Sequence, residues 1–210
     1  MVTARIQSSD SSSSSRFIQA LTYAAELHAG QVRKASETPY IAHLLSVAAL
    51  VLEDGGDQDE AIAALLHDAI EDQGGDAVRQ EICHRFGERV VAIVDGCSDA
   101  DTLPKPPWRP RKERFLASLR TASPSVLRVA AADKLHNARA LLGAYRQQGE
   151  ALWERFRGGK QGTLWYHGAV ARVLSERLDS PLVGELDRVV GELEALACCR
   201  KDDQTIPRGA

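Results

Sequence analysis

Imidazole and carboxylate side chains directly follow one of the most apolar stretches of the chain. In the segment LLHDAIED, residues 65–72, these side chains are His67, Asp68, Glu71 and Asp72. The helical pattern over 60–72 places His67 with Glu71, and Asp68 with Asp72, on shared sides of one helix. Carboxylates gathered there lose hydration and repel one another, and a divalent cation removes that penalty. The segment therefore predicts a metal site. The alternative, a solvent-exposed acidic turn, is disfavoured by the helix dipole.

Two further positions supply the remaining candidate ligands. Asp133 follows an apolar run in residues 129–141, with Asn137 one helical turn later, and His43 begins a helix after a polar loop. Each of these residues alone is typical of a structural role. Together, the candidate metal ligands are His43, His67, Asp68 and Asp133. Two imidazoles and two carboxylates suit Mn²⁺ or Fe²⁺ better than Zn²⁺ or Mg²⁺, and such a mixed set leaves a position for water, as a hydrolytic site requires.

The elements that must position these residues are predicted to be helices. Apolar residues recur at helical spacing, strand signals are nearly absent, and no repeat or linker marks a domain boundary. The pattern predicts one all-α bundle of about ten helices over residues 16–200, with a flexible Ser-rich tail at 1–15 and a second tail at 201–210. The predicted helices cover 16–29, 43–54, 60–72, 76–86, 88–97, 112–121, 125–145, 163–179 and 182–199.

The composition excludes several classes of protein. The 210 residues carry 26 basic and 29 acidic side chains, a net charge of −3, which argues against a nucleic-acid binder that relies on bulk electrostatics. No apolar run reaches membrane-spanning length, and the polar N-terminus has no signal-peptide core. The four cysteines form no CxxC pair, so we expect reduced thiols in a cytoplasmic protein. The apolar last helix either packs in the core or forms the face of a homo-oligomer.

Four sequence blocks resemble the (p)ppGpp hydrolase domain of RelA/SpoT-type proteins, a branch of the HD-domain metal-dependent phosphohydrolases. HAGQVRKASETPYIAH, residues 28–43, resembles the family pattern HxxQxRKxxxxPYxxH, and HDAIED, residues 67–72, resembles HDxxED. SDADTLPK, residues 98–105, and ADKLHN, residues 132–137, are similar to two later family segments. An HD pair alone is common, but four blocks in one order form a specific signal.

The resemblance implies a single HD-domain helical bundle that removes the 3′-pyrophosphate from (p)ppGpp or (p)ppApp, a small nucleotide substrate. The matching metal ligands, typically for Mn²⁺, are His43, His67, Asp68 and Asp133. The residues that would orient or deprotonate the attacking water are Glu71 and Asp72. The matching nucleotide contacts are Arg33, Lys34 and Asn137. With 210 residues, the chain is expected to be a small alarmone hydrolase without a synthetase domain.

A basic segment after the Pro-rich loop either receives the polyphosphate or forms a solvent-exposed rim. Its cations are Lys105, Arg109, Arg111, Lys112 and Arg114. The predicted substrate contacts among them are Lys105, Arg111 and Lys112. Weaker candidates for closing the pocket are Lys160, Trp165 and Tyr166. For the two aromatic residues the alternative is a place in the core, where aromatic residues at helical spacing usually lie. Tyr40 is expected to pack under the loop, and His136 to point away from the site.

The sequence leaves open which base the substrate carries and which reaction the protein catalyses. Leu44 follows the first metal histidine, where the family often has Pro, and Ala35 and Ala140 could alter base or ribose contacts. Guanine and adenine alarmones therefore both remain candidates. A phosphatase acting on NADPH or a nucleoside monophosphate is a second reading. A third is a non-catalytic nucleotide sensor. The presence of all the candidate metal ligands and of both water-activating residues argues against it.

Overall fold

The computed structural model describes residues 11–33, 36–99 and 106–199, and across them the all-α prediction is confirmed. Outside the helices, the bridge pairing within these ranges is one antiparallel bridge between Val32 and Pro39. The helices are α1 (Ser11–Leu27), α2 (Ile41–Glu53), α3 (Gln58–Leu66), α4 (Ala69–Gln73), α5 (Gly75–Phe86), α6 (Glu88–Cys97), α7 (Trp108–Leu119), α8 (Pro124–Gln148), a 3₁₀ helix (Gly149–Arg155), α9 (Gly159–Arg177) and α10 (Pro181–Cys199).

Helix α3 lies at the centre of the bundle and packs against α1, α2, α6 and α8. Its residues from Ala61 to Leu66 are fully buried, as expected for a helix that is apolar on every side. A capping box begins the helix: Asp57 accepts from the Glu60 N–H, and the Glu60 carboxylate accepts from the Asp57 N–H, both at 3.0 Å. The C-terminal end of α3 therefore delivers the HD pair into the interior.

Helices α8 and α10 form the other side of the core. Ser123 caps α8, and Pro124 follows at its first turn, where a missing N–H costs nothing. Helix α10 packs along α8 and α9 and buries Leu186, Val190 and Leu193. The sequence left open whether the apolar face of the last helix lies in the core or forms an oligomer interface. In the structure this face is buried within the chain.

Two predicted helix starts were wrong, and one short helix was not predicted. Helix α1 begins at Ser11, so residues 11–15, predicted to be tail, are helical. Helix α7 begins at Trp108 rather than at 112, because Pro107 precedes its first turn and Pro110 is still early enough to be accommodated. The 3₁₀ helix was not predicted, since it is short and begins at Gly149 with a φ of 61°.

The predicted helix over 60–72 is interrupted. Helix α3 ends at Leu66, His67 and Asp68 form a turn, and α4 resumes at Ala69. In a continuous helix the Ala64 carbonyl would accept from the Asp68 N–H. Here that carbonyl lies 2.8 Å from Nδ1 of the His67 ring, so a side-chain hydrogen bond competes with the helical one where the helix stops.

No helix within the described ranges combines the length and the apolar character that crossing a lipid bilayer requires.

Candidate metal centre and active site

Three separate elements bring His43, His67 and Asp133 together. His43 lies on α2, His67 in the turn after α3, and Asp133 in the middle of α8. One ligand atom from each lies within 4.8 Å of the others, and all three residues are buried. Asp68 completes the predicted set: its Oδ2 lies 3.0 Å from His67 Nε2 and 3.6 Å from His43 Nε2. The structure thus gathers all four predicted ligands.

The donor set fits a divalent metal. Within the described residues, neither His43 Nε2 nor His67 Nε2 has a hydrogen-bond partner, although both atoms are buried. Each faces Asp133 Oδ1, at 3.3 Å from His43 and 3.6 Å from His67. Buried polar atoms without partners are costly, and a cation held between two imidazoles and two carboxylates would satisfy all of them. The arrangement therefore supports a divalent metal site.

The other ring nitrogens of the two histidines set their orientation. The Ala64 carbonyl can only accept, so His67 Nδ1 donates to it, and Nε2 is the ring atom that faces Asp68 and Asp133. His43 Nδ1 lies 2.8 Å from Nδ1 of His136. Burial, together with the neighbouring His43, lowers the pKa of His136 to about 4, which favours its neutral form. A metal bound at His43 Nε2 would leave the His43 proton on Nδ1, and His136 Nδ1 would then be its acceptor.

The prediction that His136 points away from the site was therefore wrong. Its ring centroid lies 4.8 Å from that of His43. The sequence contained a signal for this contact, because His136 follows Asp133 by three residues and so shares its helix face.

Both carboxylates are held by neighbours. Tyr40 Oη donates to Asp68 Oδ2 at 2.5 Å, Asn137 Nδ2 donates to Asp133 Oδ1 at 2.5 Å, and Lys134 Nζ donates to Asp133 Oδ2 at 2.6 Å. Burial opposes the ionisation of Asp133, but Lys134 and the two imidazoles outweigh it and hold its pKa well below the usual range. Sequence reasoning missed Lys134 and gave Tyr40 only a packing role.

The two predicted water-activating residues lie on the short helix α4 and are held by different parts of the fold. Asp72 Oδ2 accepts from Gln31 Nε2 at 3.0 Å, in the turn that follows α1. Glu71 Oε1 lies 3.3 Å from Arg111 Nη1 on α7, and its Oε2 accepts from the Asp99 N–H at 3.5 Å. The two carboxylates are thus oriented independently of each other.

Two of the predicted nucleotide contacts, Arg33 and Asn137, lie within the described residues, and both lie next to the metal centre. Arg33 Nη2 donates to Asn137 Oδ1 at 2.6 Å, and its guanidinium lies 5.6 Å from the centroid of the Tyr40 ring. Asn137 therefore connects Arg33 to the metal ligand Asp133. Lys34 and Lys105 lie outside the described residues.

The basic residues of α7 lie near α4, but their charges are already paired. Arg111 and Lys112 both contact the Asp99 carboxylate. Burial opposes ionisation of Asp99, but Lys112 and Arg111 outweigh it and lower its pKa. Lys112 Nζ also lies 4.7 Å from the centroid of the Tyr166 ring. The cations predicted to receive polyphosphate thus already hold a carboxylate.

The weaker candidates for closing the pocket have structural contacts. Trp165 and Tyr166 each pack edge-on against Trp108, with ring centroids 6.3 Å apart in both pairs. Lys160 donates to Glu150 at 2.6 Å and to the Ala197 carbonyl at 2.9 Å, which ties α9 to the 3₁₀ helix and to α10. These contacts favour the core alternative for the two aromatic residues and give Lys160 a structural role.

Comparisons with known proteins agree with this geometry. A family model described as HD domain matches residues 20–164. The chain is 40% identical over 134 residues to the guanosine-3′,5′-bis(diphosphate) 3′-pyrophosphohydrolase MESH1 of Xenopus tropicalis, covering 62% of this chain and 72% of the relative. It is 37% identical over 123 residues to the enzyme named guanosine-3′,5′-bis(diphosphate) 3′-pyrophosphohydrolase in Aquifex aeolicus, covering 59% of this chain but only 17% of that longer relative.

Solved structures share the fold. One, described as a metazoan ortholog of SpoT that hydrolyzes ppGpp, superimposes with a TM-score of 0.69 at 24% identity and covers 92% of this chain and 98% of that one. A Listeria monocytogenes EGD-e protein superimposes with a TM-score of 0.63 at 27% identity, covering 72% of this chain and 97% of that one. The chain belongs to the HD-domain family and has the MESH1- and SpoT-type ppGpp 3′-pyrophosphohydrolases as homologues.

Proposed function

We propose that this protein is an alarmone hydrolase that removes the intact 3′-pyrophosphate from (p)ppGpp, (p)ppApp or both, using Mn²⁺. The products would be GDP or GTP, or ADP or ATP, together with pyrophosphate. The observation that carries the proposal is the pair of buried Nε2 atoms of His43 and His67, which face Asp68 and Asp133 and have no hydrogen-bond partner among the described residues. This donor set lies within the region that matches the HD-domain family.

The metal would be held by those two imidazoles and two carboxylates. When bound, a divalent ion lowers the pKa of water and stabilises charge on phosphoryl oxygens. The chain's own contribution is to fix the ligands: Tyr40 orients Asp68, while Asn137 and Lys134 hold the two oxygens of Asp133. Partners that orient metal ligands in this way strengthen metal binding.

Glu71 is assigned the role of proton acceptor, and Asp72 that of orienting the water. The water oxygen forms a bond to the phosphorus attached to O3′, the P–O3′ bond breaks, and a water proton passes to Glu71. The departing O3′ takes up a proton from solvent and becomes a hydroxyl, Glu71 returns its proton to solvent, and the pyrophosphate leaves intact. Gln31 Nε2 donates to Asp72 Oδ2 at 3.0 Å and so fixes the orientation of that carboxylate.

Nucleotide binding is assigned to residues on the metal side of the fold. Arg33 and Asn137 already form one unit next to Asp133, where a planar guanidinium can stack on a base or pair with phosphate. Lys34 matches the second residue of the family's Arg-Lys pair, and Lys105, in the basic segment, is a candidate contact for the polyphosphate. Lys112, on α7, supplies a cation for the polyphosphate.

Product analysis tests this proposal. Purified protein would be incubated with Mn²⁺ and, separately, with ppGpp, ppApp and NADPH, and the products separated by ion-exchange chromatography. Pyrophosphate with GDP or ADP is expected, and the faster substrate identifies the preferred base. The Asp68→Ala variant should release nothing, whereas His84→Ala, which changes an exposed histidine on α5, should match the wild type. Phosphate released from NADPH alone would contradict the proposal and identify a phosphatase.

A further inference from the structure

Arg111 is more deeply buried than a substrate-binding arginine needs to be. Only 7% of the residue is exposed. Its Nη1 lies 3.3 Å from Glu71 Oε1 and also pairs with Asp99 Oδ1. Within the described residues, its buried Nε has no hydrogen-bond partner. We infer that Arg111 is a positioning residue that acts through Glu71, rather than a ligand of the substrate. This inference rests on the proposed role of Glu71 as the proton acceptor.

Asp99 holds the same carboxylate by two routes. Its side chain pairs with Arg111 through Oδ1 and with Lys112 through Oδ2, while its backbone N–H reaches Glu71 Oε2 at 3.5 Å. Both oxygens of Glu71 are therefore contacted by the Arg111–Asp99 pair. Helix α4 has only five residues, and a glutamate side chain on so short a helix needs such tertiary contacts to keep one orientation.

The charges explain why Arg111 stays where it is. To reach a phosphate, the guanidinium would have to break its ion pairs with two largely buried carboxylates, Glu71 and Asp99. Breaking a buried ion pair by removing one partner is strongly unfavourable. Lys112 is less constrained, because its side chain is more exposed and Asp99 would keep Arg111 if Lys112 moved away. Of the two adjacent cations on α7, Lys112 is suited to phosphate and Arg111 to Glu71.

A kinetic double-mutant cycle distinguishes the two roles. Arg111→Gln, Glu71→Gln and the double variant would be compared for kcat, KM and Mn²⁺ affinity. Misplacement of a catalytic group by about 1 Å can reduce the rate by about 100-fold, so kcat of Arg111→Gln is expected to fall by that order. KM should change by less than about threefold. The double variant should be no slower than Glu71→Gln alone, because Arg111 acts only through Glu71.

The exposed pair Arg120–Glu176, whose charged groups lie 3.5 Å apart, provides a matched control. Arg120→Gln should leave kcat, KM and Mn²⁺ affinity unchanged. Arg111→Lys is the second test variant, to be used if Arg111→Gln does not fold. It retains a cation between the carboxylates of Glu71 and Asp99. A single ammonium cannot reproduce the guanidinium geometry, so Arg111→Lys should keep the wild-type unfolding temperature and Mn²⁺ affinity yet lose about tenfold in kcat.

Two outcomes would overturn the assignment. One is a rise in KM at unchanged kcat, which identifies a substrate contact. The other is a kcat loss that multiplies with that of Glu71→Gln, which shows that Arg111 acts independently. Failure of the wild type to release pyrophosphate from any alarmone is a separate result, because it overturns the proposed function itself before the cycle begins.

Discussion

The hydrogen bond between His136 and His43 predicts a measurable loss of metal affinity when His136 is replaced. The two Nδ1 atoms lie 2.8 Å apart, and His43 is 1% exposed, so water cannot replace the lost acceptor. A neutral hydrogen bond contributes about 1 kcal/mol, which corresponds to about fivefold in affinity at about 1.4 kcal/mol per factor of ten. Loss of the fixed ring orientation adds to this, and removing such partners typically costs about 10–100-fold.

His136→Phe keeps a planar ring of similar size and removes both nitrogens. We expect Mn²⁺ binding, measured by isothermal titration calorimetry, to weaken by about tenfold or more. His136→Gln retains a side-chain oxygen that can accept, and should fall between His136→Phe and the wild type. His84→Phe, at an exposed histidine on α5, should bind as the wild type does. An unchanged dissociation constant for His136→Phe would refute the role assigned to this contact.

Other predictions concern packing and the division of roles. An alanine Cβ at Gly158 would lie 2.8 Å from the Trp108 ring, so Gly158→Ala should destabilise the fold by about 1–3 kcal/mol. Gly184→Ala, where no described atom lies within 4 Å, should stabilise α10 by about 0.5–1 kcal/mol; equal urea midpoints would contradict this packing. Glu71→Gln should retain Mn²⁺ binding while losing at least about 100-fold in turnover, and Asp68→Ala should lose both. Full turnover by Glu71→Gln would show that Glu71 is not the proton acceptor.

Much of the fold could be predicted because long amphipathic helices show apolar residues at helical spacing in the sequence. The central position of α3 followed from its apolar residues on every side, and the start of α8 followed from Ser123 and Pro124. The break at His67 could not be predicted from periodicity. It coincides with a hydrogen bond from one side chain to one carbonyl, and that competition is not visible in a hydrophobic pattern.

The metal ligands could be predicted by residue type and by resemblance, although His43 and Asp133 are 90 positions apart. What the sequence did not supply was the set of contacts that hold them. Lys134 was missed because a lysine next to a carboxylate is usually solvent-exposed, whereas here it is buried against Asp133. Arg111 was predicted to bind substrate, and its pairing with Glu71 was missed because the two residues are 40 positions apart in the sequence.

The reaction in ¹⁸O-labelled water tests the central claim most directly. Wild-type protein, Mn²⁺ and ppGpp would be incubated in H₂¹⁸O, and the products analysed by mass spectrometry. If water attacks the phosphorus attached to O3′, as the roles proposed for Glu71 and the metal ligands imply, the label should appear in pyrophosphate and not in GDP. Label in GDP, or release of orthophosphate instead of pyrophosphate, would contradict the account.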